Sequence, residues 1–312
     1  WDMSNVTTMA NMFKNNTVFN KFLNNSNISN VTDMSSMFEG ATSMNSDVSF
    51  NCSSVTNMVS MFKDATSMNS NISLNCSSVT DMLSMFEGAT SFNSDISFNC
   101  SSVTNMVNMF KDATSMNSDI TLDCSSVTNM SSMFEGATSI NSSINLNNST
   151  NLVNMSKMFK NATSFNGSIS IDTSSVTNLS NTFESAVAFN NDIGSWNTSN
   201  VTDMSGTFLN ATVFNQNIGT WNTSSVTTMN GLFDRAIAFE YDISGWNVSN
   251  VSDFTNIFTP VPNGSAFVNK INIWNEMTPE PWFYSVIISR SSLINTSGYS
   301  NGWKGGLNTI SN

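Results

Sequence analysis

One phrase recurs eleven times along this chain of 312 residues, at spacings of 24 or 25 residues. Its clearest copy runs from Val103 to Thr114 and reads VTNMVNMFKDAT. Self-similarity at a short fixed period is typical of solenoids, in which each repeat packs only on its neighbours. The sequence therefore predicts one elongated stack of coils rather than two globular domains. The residues that start the copies are Val6, Val31, Val55, Val79, Val103, Val127, Leu152, Val176, Val201, Val226 and Val251.

Each coil is predicted to contain a short strand, a turn, a short helix and a second turn. Apolar and polar residues alternate from Asp95 to Cys100, which indicates a strand with one buried face. A Ser or Asn before the valine, with Asp or Asn three residues later, is typical of a helix start. Apolar residues then fall on one helical stripe, so we expect an α/β repeat solenoid. In one coil the stripe is Val103, Met106, Met109, Phe110 and Ala113.

The composition places the core in Met and Phe and leaves a polar surface. The chain has 21 Met and 23 Phe, and only 10% of its residues are charged, for a net charge of −12. Its ten basic residues are scattered singly, which disfavours nucleic acid and anionic membranes as partners. No stretch approaches the roughly 20 apolar residues of a membrane helix, so no membrane insertion is predicted. We expect the Met and Phe of successive coils to form buried ladders.

Two kinds of coil are visible. From Val31 to about Ser149 the slot before the turn holds Phe or Leu, whereas after Val176 it holds Trp. The Trp coils are spaced by 25 residues and carry an extra Gly-containing pair, which predicts a small bulge beside the larger ring. Trp1 and Trp274 occupy the same slot at the two ends.

The residue after the Phe ladder alternates in sign on eight successive coils. Alternation turns a column of charges into a row of attractions and favours one register, although each exposed pair contributes little. Duplication of a two-coil unit explains the same pattern, and both interpretations can hold. The residues are Lys14, Glu39, Lys63, Glu87, Lys111, Glu135, Lys160 and Glu184.

Four cysteines, Cys52, Cys76, Cys100 and Cys124, occupy one position in four consecutive coils. A column of ligands does not form a tetrahedral zinc site. Disulfides between neighbouring coils satisfy the distance requirement, but parallel in-register side chains fit the dihedral requirement poorly. Free buried thiols are the favoured prediction.

Many Asn-X-Ser/Thr triplets occur. They can carry sugars only if the source glycosylates its secreted proteins.

The repeat resembles the bacterial surface protein 26-residue repeat, also described as a mycoplasma lipoprotein repeat and grouped with BspA-like leucine-rich repeats. The resemblance covers residues 1 to about 258, and Thr207 departs from it by replacing a Met. It implies leucine-rich-repeat-like coils on secreted or surface-exposed proteins that act in adhesion and host or matrix contact. The matching residues in one copy are Trp196, Ser199, Val201, Thr202, Met204, Phe208, Ala211, Phe214, Asn215 and Ile218.

The two ends differ in sequence. We predict a solenoid over residues 1–258, and a last strand with a C-terminal cap over 259–312. The apolar run from Trp282 to Ile288 suits that cap, with a docking strand for a partner as the alternative. No comparable cap precedes Trp1, so we expect missing upstream residues or another molecule over that end. Head-to-tail stacking into a fibre would provide such a cover.

The sequence predicts a non-enzymatic protein with no cofactor and no metal site. It contains no His, and no nucleophile motif or phosphate-binding Gly loop appears. We expect an adhesive or binding protein, extracellular or on the surface of a cell or virion, that meets protein or carbohydrate. The alternative is a structural subunit of a fibre or appendage; ice binding is disfavoured because Thr56, Thr80, Thr104 and Thr128 would start helices. The candidate binding face is the outward strand column Asp47, Ser49, Asn51, Asn71, Ser73, Asn75, Asp95, Ser97, Asn99, Asp119, Thr121 and Asp123.

Overall fold

The repeats stack in parallel, each coil lying in register on the one before it. The computed structural model describes residues 3–24, 28–96, 98 and 100–258. Two parallel three-stranded sheets have the orders β1-β2-β3 and β4-β5-β6, and a bridge between Ile96 and Ile120 continues the register between them. The strands are β1 (Leu23–Asn24), β2 (Val48–Phe50), β3 (Ile72–Leu74), β4 (Ile120–Asp123), β5 (Ile144–Asn147) and β6 (Ile169–Ile171).

The predicted helices, and with them the α/β fold class, are wrong. The described residues contain no helix, and the predicted stripe from Val103 to Ala113 is a chain of turns. The cause is backbone conformation, because Asn108 and Asp112 both have φ of 57°, in the left-handed region that a right-handed helix excludes. The same two positions have positive φ in coil after coil, so the interruption belongs to the repeat.

The turns send half of their amide groups to the next coil instead of along a helix. Amides at alternate positions donate to carbonyl oxygens one coil further on, at 2.7–3.1 Å in this copy. The intervening amides close tight turns on residues three positions earlier, such as Met109 on Met106 at 3.3 Å. The inter-coil pairs are Met106 with Asn129, Asn108 with Ser131, Phe110 with Met133, and Asp112 with Glu135.

The core is a set of ladders inside the stack, and the prediction of buried Met and Phe columns is confirmed. The whole stripe of Val103, Met106, Met109, Phe110 and Ala113 is buried, since the turns point the same residues inward that a helix would have. Aromatic rings stack along the axis from Phe13 to Phe258, with neighbouring centroids 5.3–5.8 Å apart. Stacked rings at this separation add attraction to the burial itself.

One side of the stack, which we call the wall, has a different backbone structure in the two parts of the chain. It is formed by the segment that precedes the first residue of each repeated phrase. In the strand coils (residues 23–171) it is formed by β1–β6, whereas in the Trp coils (residues 193–258) a turn takes the place of the strand. The Trp196 amide donates to the Ile193 carbonyl at 3.1 Å, and Trp221 and Trp246 repeat this bond. The extra residue of the 25-residue coils therefore makes a turn and not the predicted bulge.

The alternating charges form ion pairs between neighbouring coils. Nζ–Oε distances are 3.0 Å for Lys14–Glu39, 3.0 Å for Lys63–Glu87 and 2.8 Å for Lys160–Glu184. A second alternation accompanies the first, because the residue after each Lys is Asp or Asn and the residue after several of the Glu is Gly. The Asp64 carboxylate fills the space that a β-carbon on Gly88 would need, so steric fit supports the two-coil unit alongside charge.

The described coils continue to Phe258. The predicted last strand and cap over residues 259–312, and the slots of Trp1 and Trp274, lie outside the described residues. The division into two parts therefore stays a prediction.

Candidate ligand-binding face

The strands set polar side chains in columns on the outside of the stack. In β2 the side chains of Val48 and Phe50 are buried, while Ser49 between them is exposed. Parallel pairing places Ser49 beside Ser73, so equivalent residues line up from coil to coil. In the second sheet the same column passes through Thr121, Asn145 and Ser170.

The described members of the predicted face lie together on this wall. Ser97 and Asn99 are outside the described residues, and Asp123 is half-buried. The remaining nine are exposed. They are Asp47, Ser49, Asn51, Asn71, Ser73, Asn75, Asp95, Asp119 and Thr121.

The carboxylate columns of the face, which lie on either side of the column of Ser49, Ser73 and Thr121, also support the fold. The Asp47 carboxylate accepts the backbone N–H of Asn71 in the next coil at 3.0 Å, and Asp119 does the same for Ser143 at 2.9 Å. On the other flank, hydrogen bonds from Asn148 and from the backbone of Ser125 hold the pKa of Asp123 below its usual value. These carboxylates are therefore partly engaged within the protein.

The central column of the face contains Ser49, Ser73 and Thr121, and its hydroxyl groups are available to a ligand. Within the described residues, no hydrogen bond occupies the side chains of Ser49, Ser73 or Thr121. Hydroxyl groups both donate and accept, so each of these three residues offers the same pair of functions to a ligand.

A ladder of asparagines was missed by sequence reasoning. Each amide oxygen accepts the backbone N–H of the equivalent residue one coil on, as Asn93 does for Asn117 at 2.7 Å. The signal was present, because Asn fills this position in nine consecutive coils. They are Asn20, Asn45, Asn69, Asn93, Asn117, Asn141, Asn166, Asn190 and Asn215.

The threonine column that was expected at helix starts lies instead on a continuous inter-coil ladder. The Thr80 amide donates to the Thr56 carbonyl at 2.9 Å, and its hydroxyl approaches the same oxygen at 3.2 Å. Thr104 and Thr128 repeat both contacts. The argument from helices against ice binding is therefore wrong. These hydroxyls nevertheless already donate hydrogen bonds to backbone carbonyl oxygens of the preceding coil.

A shallow groove of about 380 Å³ lies where the strand coils meet the Trp coils. Sequence reasoning did not find it, although the first Trp that follows a strand-type coil marks the place. The groove is the space left by the mismatch between two kinds of wall. Its lining residues are Leu146, Asn147, Asn148, Ser170, Ile171, Asp172, Thr173, Ser195, Trp196 and Asn197.

The four cysteines are free and buried, as predicted. Burial raises the pKa of the Cys52 thiol to about 12, and burial followed by the charge of Cys52 does the same for Cys76. The pKa values of Cys100 and Cys124 are raised for the same leading reason. All four are thiols and not thiolates at neutral pH, and thiols are poor nucleophiles and metal ligands.

In the described part of the chain, no group of three or more His, Cys, Asp or Glu is placed to hold a metal ion.

The family profile described as "Mycoplasma protein of unknown function, DUF285" matches residues 1–97, 73–171, 97–193 and 169–274. The chain belongs to this family. The prediction of a tandem-repeat protein related to a mycoplasma repeat is thereby confirmed, while BspA-like membership of this DUF285 chain stays a prediction.

None of the described residues of the chain forms a helix long and apolar enough to cross a membrane.

Two solved structures are similar to part of this DUF285 chain. An internalin (InlF) from Listeria monocytogenes is 13% identical over 74% of this chain and 68% of its own, with a TM-score of 0.32. The Toll–Spätzle complex of Drosophila is 14% identical over 70% of this chain and 36% of its own, with a TM-score of 0.27. Overlaps this partial support no inference about function. No curated protein sequence matches the chain.

Proposed function

We propose that this chain is a non-enzymatic repeat protein, extracellular or surface-exposed, that acts in adhesion by binding protein or carbohydrate. The observation that carries the proposal is the register of the strand coils. Pairing of Ser49 with Ser73, and of Thr121 with Asn145, repeats a hydrogen-bonding group at the same height on the paired strands. A ligand with its own repeating groups, such as a glycan or an extended peptide, can then make many weak contacts at once.

The composition supports the same proposal. A wall of Ser, Thr and Asn with few charges binds by hydrogen bonds rather than by long-range attraction. Buried thiols provide no reactive group at neutral pH. The groove at the seam, which is the junction between the strand coils and the Trp coils, is shallow. A long rigid surface with repeated polar groups suits binding better than catalysis.

Binding is tested with bulky substitutions in the central column. The double variant Ser73→Arg/Thr121→Arg projects two long side chains from the face. The control Ser91→Arg/Ser139→Arg places the same side chains on exposed positions of another column. Retention on immobilised mucin, laminin and collagen is measured for wild type and both variants. We expect at least about a tenfold loss of affinity, or about 1.4 kcal/mol, for the face variant alone; equal binding by all three proteins would contradict the proposal.

Location is tested on the source cells. An antibody raised against residues 3–258 should label intact cells or the surrounding medium. Labelling only after the cells are made permeable would overturn the surface assignment. The alternative of a fibre subunit stays a prediction, and electron microscopy of the native material separates it from adhesion, because filaments support a fibre and isolated rods do not.

A further inference from the structure

The groove at the seam contains a tryptophan that differs from its neighbours. The Trp221 indole Nε1 donates to the Ile193 carbonyl at 3.1 Å, and Trp246 donates to Ile218 at 3.0 Å, each reaching back one coil. Trp196 makes no such bond among the described residues, although it is only 7% exposed. A buried donor without an acceptor costs on the order of 1–3 kcal/mol, so the unpaired N–H of a tryptophan that lines a groove calls for an explanation.

The cause of the difference is the preceding coil. Trp196 stacks on Trp221 on one side, with centroids 6.3 Å apart and planes within 2°. On its other side the coil before it ends in strand β6, where Ile171 lines the groove and is only half-buried. The tryptophan column therefore begins at Trp196 with no Trp before it; the Phe183 ring of the core lies 5.8 Å away and is tilted by 30°. This first tryptophan lines the groove.

Apart from Leu146, the rest of the lining is polar and carries one negative charge. Asp172 accepts the backbone N–H of Ser174 at 2.8 Å, and the hydroxyl and amide of Ser174 hold the pKa of Asp172 below its usual value. Its carboxylate is therefore ionised at neutral pH and retains acceptor capacity. Asn197 binds Ser199 through its amide oxygen, which leaves its NH₂ group as a donor, and the exposed Asn147 adds a second amide.

We propose that this groove binds one unit of a neutral saccharide. An indole N–H, two amides and a carboxylate around an aromatic ring match the alternating hydroxyls of a sugar, which donate and accept in turn. An anionic ligand would meet the charge of Asp172, and a purely apolar ligand would leave the polar groups without partners. The proposal goes beyond the adhesive role of the strand face. The groove includes Ser170, which continues the column of Ser49, Ser73 and Thr121, but none of the twelve residues of the predicted face. The variants that test the two sites are different, so either proposal can fail while the other stands.

The experiment follows the indole N–H resonances of the full chain labelled with ¹⁵N. The probes are the methyl glycosides of glucose, galactose, mannose and N-acetylglucosamine, with their disaccharides, at millimolar concentrations. The Trp196 signal is the one that disappears in Trp196→Phe. We expect at least one neutral saccharide to shift this signal in a saturable way.

The variants decide whether the groove is the site. Trp196→Phe keeps the ring and removes the donor, and Asp172→Asn removes the charge; we expect each to weaken binding by about tenfold in calorimetry. Trp246→Phe is the matched control, because Trp246 lies two coils away from Trp196 and its N–H is bonded to the Ile218 carbonyl, so this variant should bind like wild type. Near-ultraviolet circular dichroism verifies that the variants are folded. A Trp196 signal that no neutral saccharide moves, or a Trp196→Phe variant that binds like wild type, would overturn the proposal.

Discussion

The strand coils and the Trp coils enclose the same core with two different walls. Both share the stacked Phe rings, the turns that donate amides to the next coil, and the asparagine ladder. In the strand coils, the varied wall buries residues such as Leu122 and Cys100 behind a parallel sheet. In the Trp coils, a turn positions Trp221, and the buried Thr223 donates its hydroxyl to the Asn247 carbonyl at 2.9 Å.

The difference shows which contacts define the repeat. The inter-coil bonds of the turn segment pass through both regions without a break, from Met9 bonded to Asp33 to Phe233 bonded to Ile257. Strand pairing stops at β6, and the stack continues. The turn segment is therefore the constant part of the coil, while the opposite wall can be exchanged between a sheet and an aromatic column.

The largest expected effect comes from truncating the large buried side chain of the wall in each region, which is Trp221 in the Trp coils and Leu122 in the strand coils. Trp221→Ala removes a ring that stacks on two neighbours at 6.3 Å and a hydrogen bond to Ile193, so we expect a loss of about 4 kcal/mol in the free energy of unfolding. Leu122→Ala should cost about 3 kcal/mol, because its cavity is smaller and the sheet remains. Urea denaturation measures both.

An intermediate variant separates the two contributions of the tryptophan. Trp221→Phe keeps a ring in the column and loses the N–H, and should cost about 1 to 2 kcal/mol. A Trp221→Ala variant no less stable than Leu122→Ala would mean that the aromatic column does not replace the sheet.

The next effect tests how closely the Trp coils approach one another. A β-carbon on Gly219 would overlap the backbone carbonyl oxygen of Asp242, which cannot move without shifting its coil. We therefore expect Gly219→Ala to lose about 2 to 3 kcal/mol by overpacking. Gly245→Ala is the control, because among the described residues the nearest atom to its β-carbon, the Gly219 oxygen, lies 4.0 Å away.

The strand coils supply the contrast. Thr121, which precedes Leu122 in the strand coils as Thr220 precedes Trp221, is exposed, so Thr121→Ala should change stability by less than about 0.5 kcal/mol. Similar losses for Gly219→Ala and Gly245→Ala, read from thermal unfolding, would show that the coils are not in close contact at this wall.

The sequence allowed the stack and its core to be predicted, because a period of 24 or 25 residues and the inward Met and Phe positions do not depend on secondary structure. It did not allow the turns to be recognised, since the same spacing of apolar residues fits a helix. A signal existed in the small or Asx residues at the two left-handed positions, such as Ser84 and Asp112. Lys157 and Arg235 also occupy such positions, so composition alone was an incomplete guide.

The exposed face could be predicted because alternation in a strand is a local property. The asparagine ladder and the groove between the two kinds of coil are not local properties, so each had only an indirect signal in the sequence. The ladder depends on which residue lies one coil away from Asn93, and the groove depends on a mismatch between the walls that precede and follow Trp196.

The asparagine ladder should contribute equally in the two regions. Asn93→Ala leaves the Asn117 N–H without its acceptor, and Asn190→Ala does the same to Asn215. We expect each to cost about 1 kcal/mol in urea denaturation. Asn51→Ala, an exposed asparagine of the strand face, should be near neutral. A clear difference between Asn93→Ala and Asn190→Ala would show that the ladder belongs to only one kind of coil.

The smallest effect distinguishes the charged column of the strand coils. Burial disfavours the charged form of Glu39, but hydrogen bonds from Ser36 and Lys14 outweigh it and hold the pKa of Glu39 below 4.5. Desolvation, and after it the carboxylates of Glu135, Glu87 and Asp64, raise the pKa of Asp112 above 3.8 against the opposing charge of Lys111. The two carboxyl groups should therefore influence stability with opposite signs.

At neutral pH, Glu39→Gln should lose up to about 0.5 kcal/mol, since its charged form is favoured in the folded state. That loss is fully present above pH 4.5 and disappears as the pH falls through the folded pKa of Glu39. Asp112→Asn should instead gain a few tenths of a kcal/mol, because the charge it removes is disfavoured on folding and solvent screens most of the effect. That gain should vanish below pH 3.8, and asparagine already occupies the equivalent positions Asn15 and Asn161 with positive φ. Urea denaturation at several pH values and at two salt concentrations measures both, and the same sign for the two variants would mean that alternation along this column does not set the balance of charge in the strand coils.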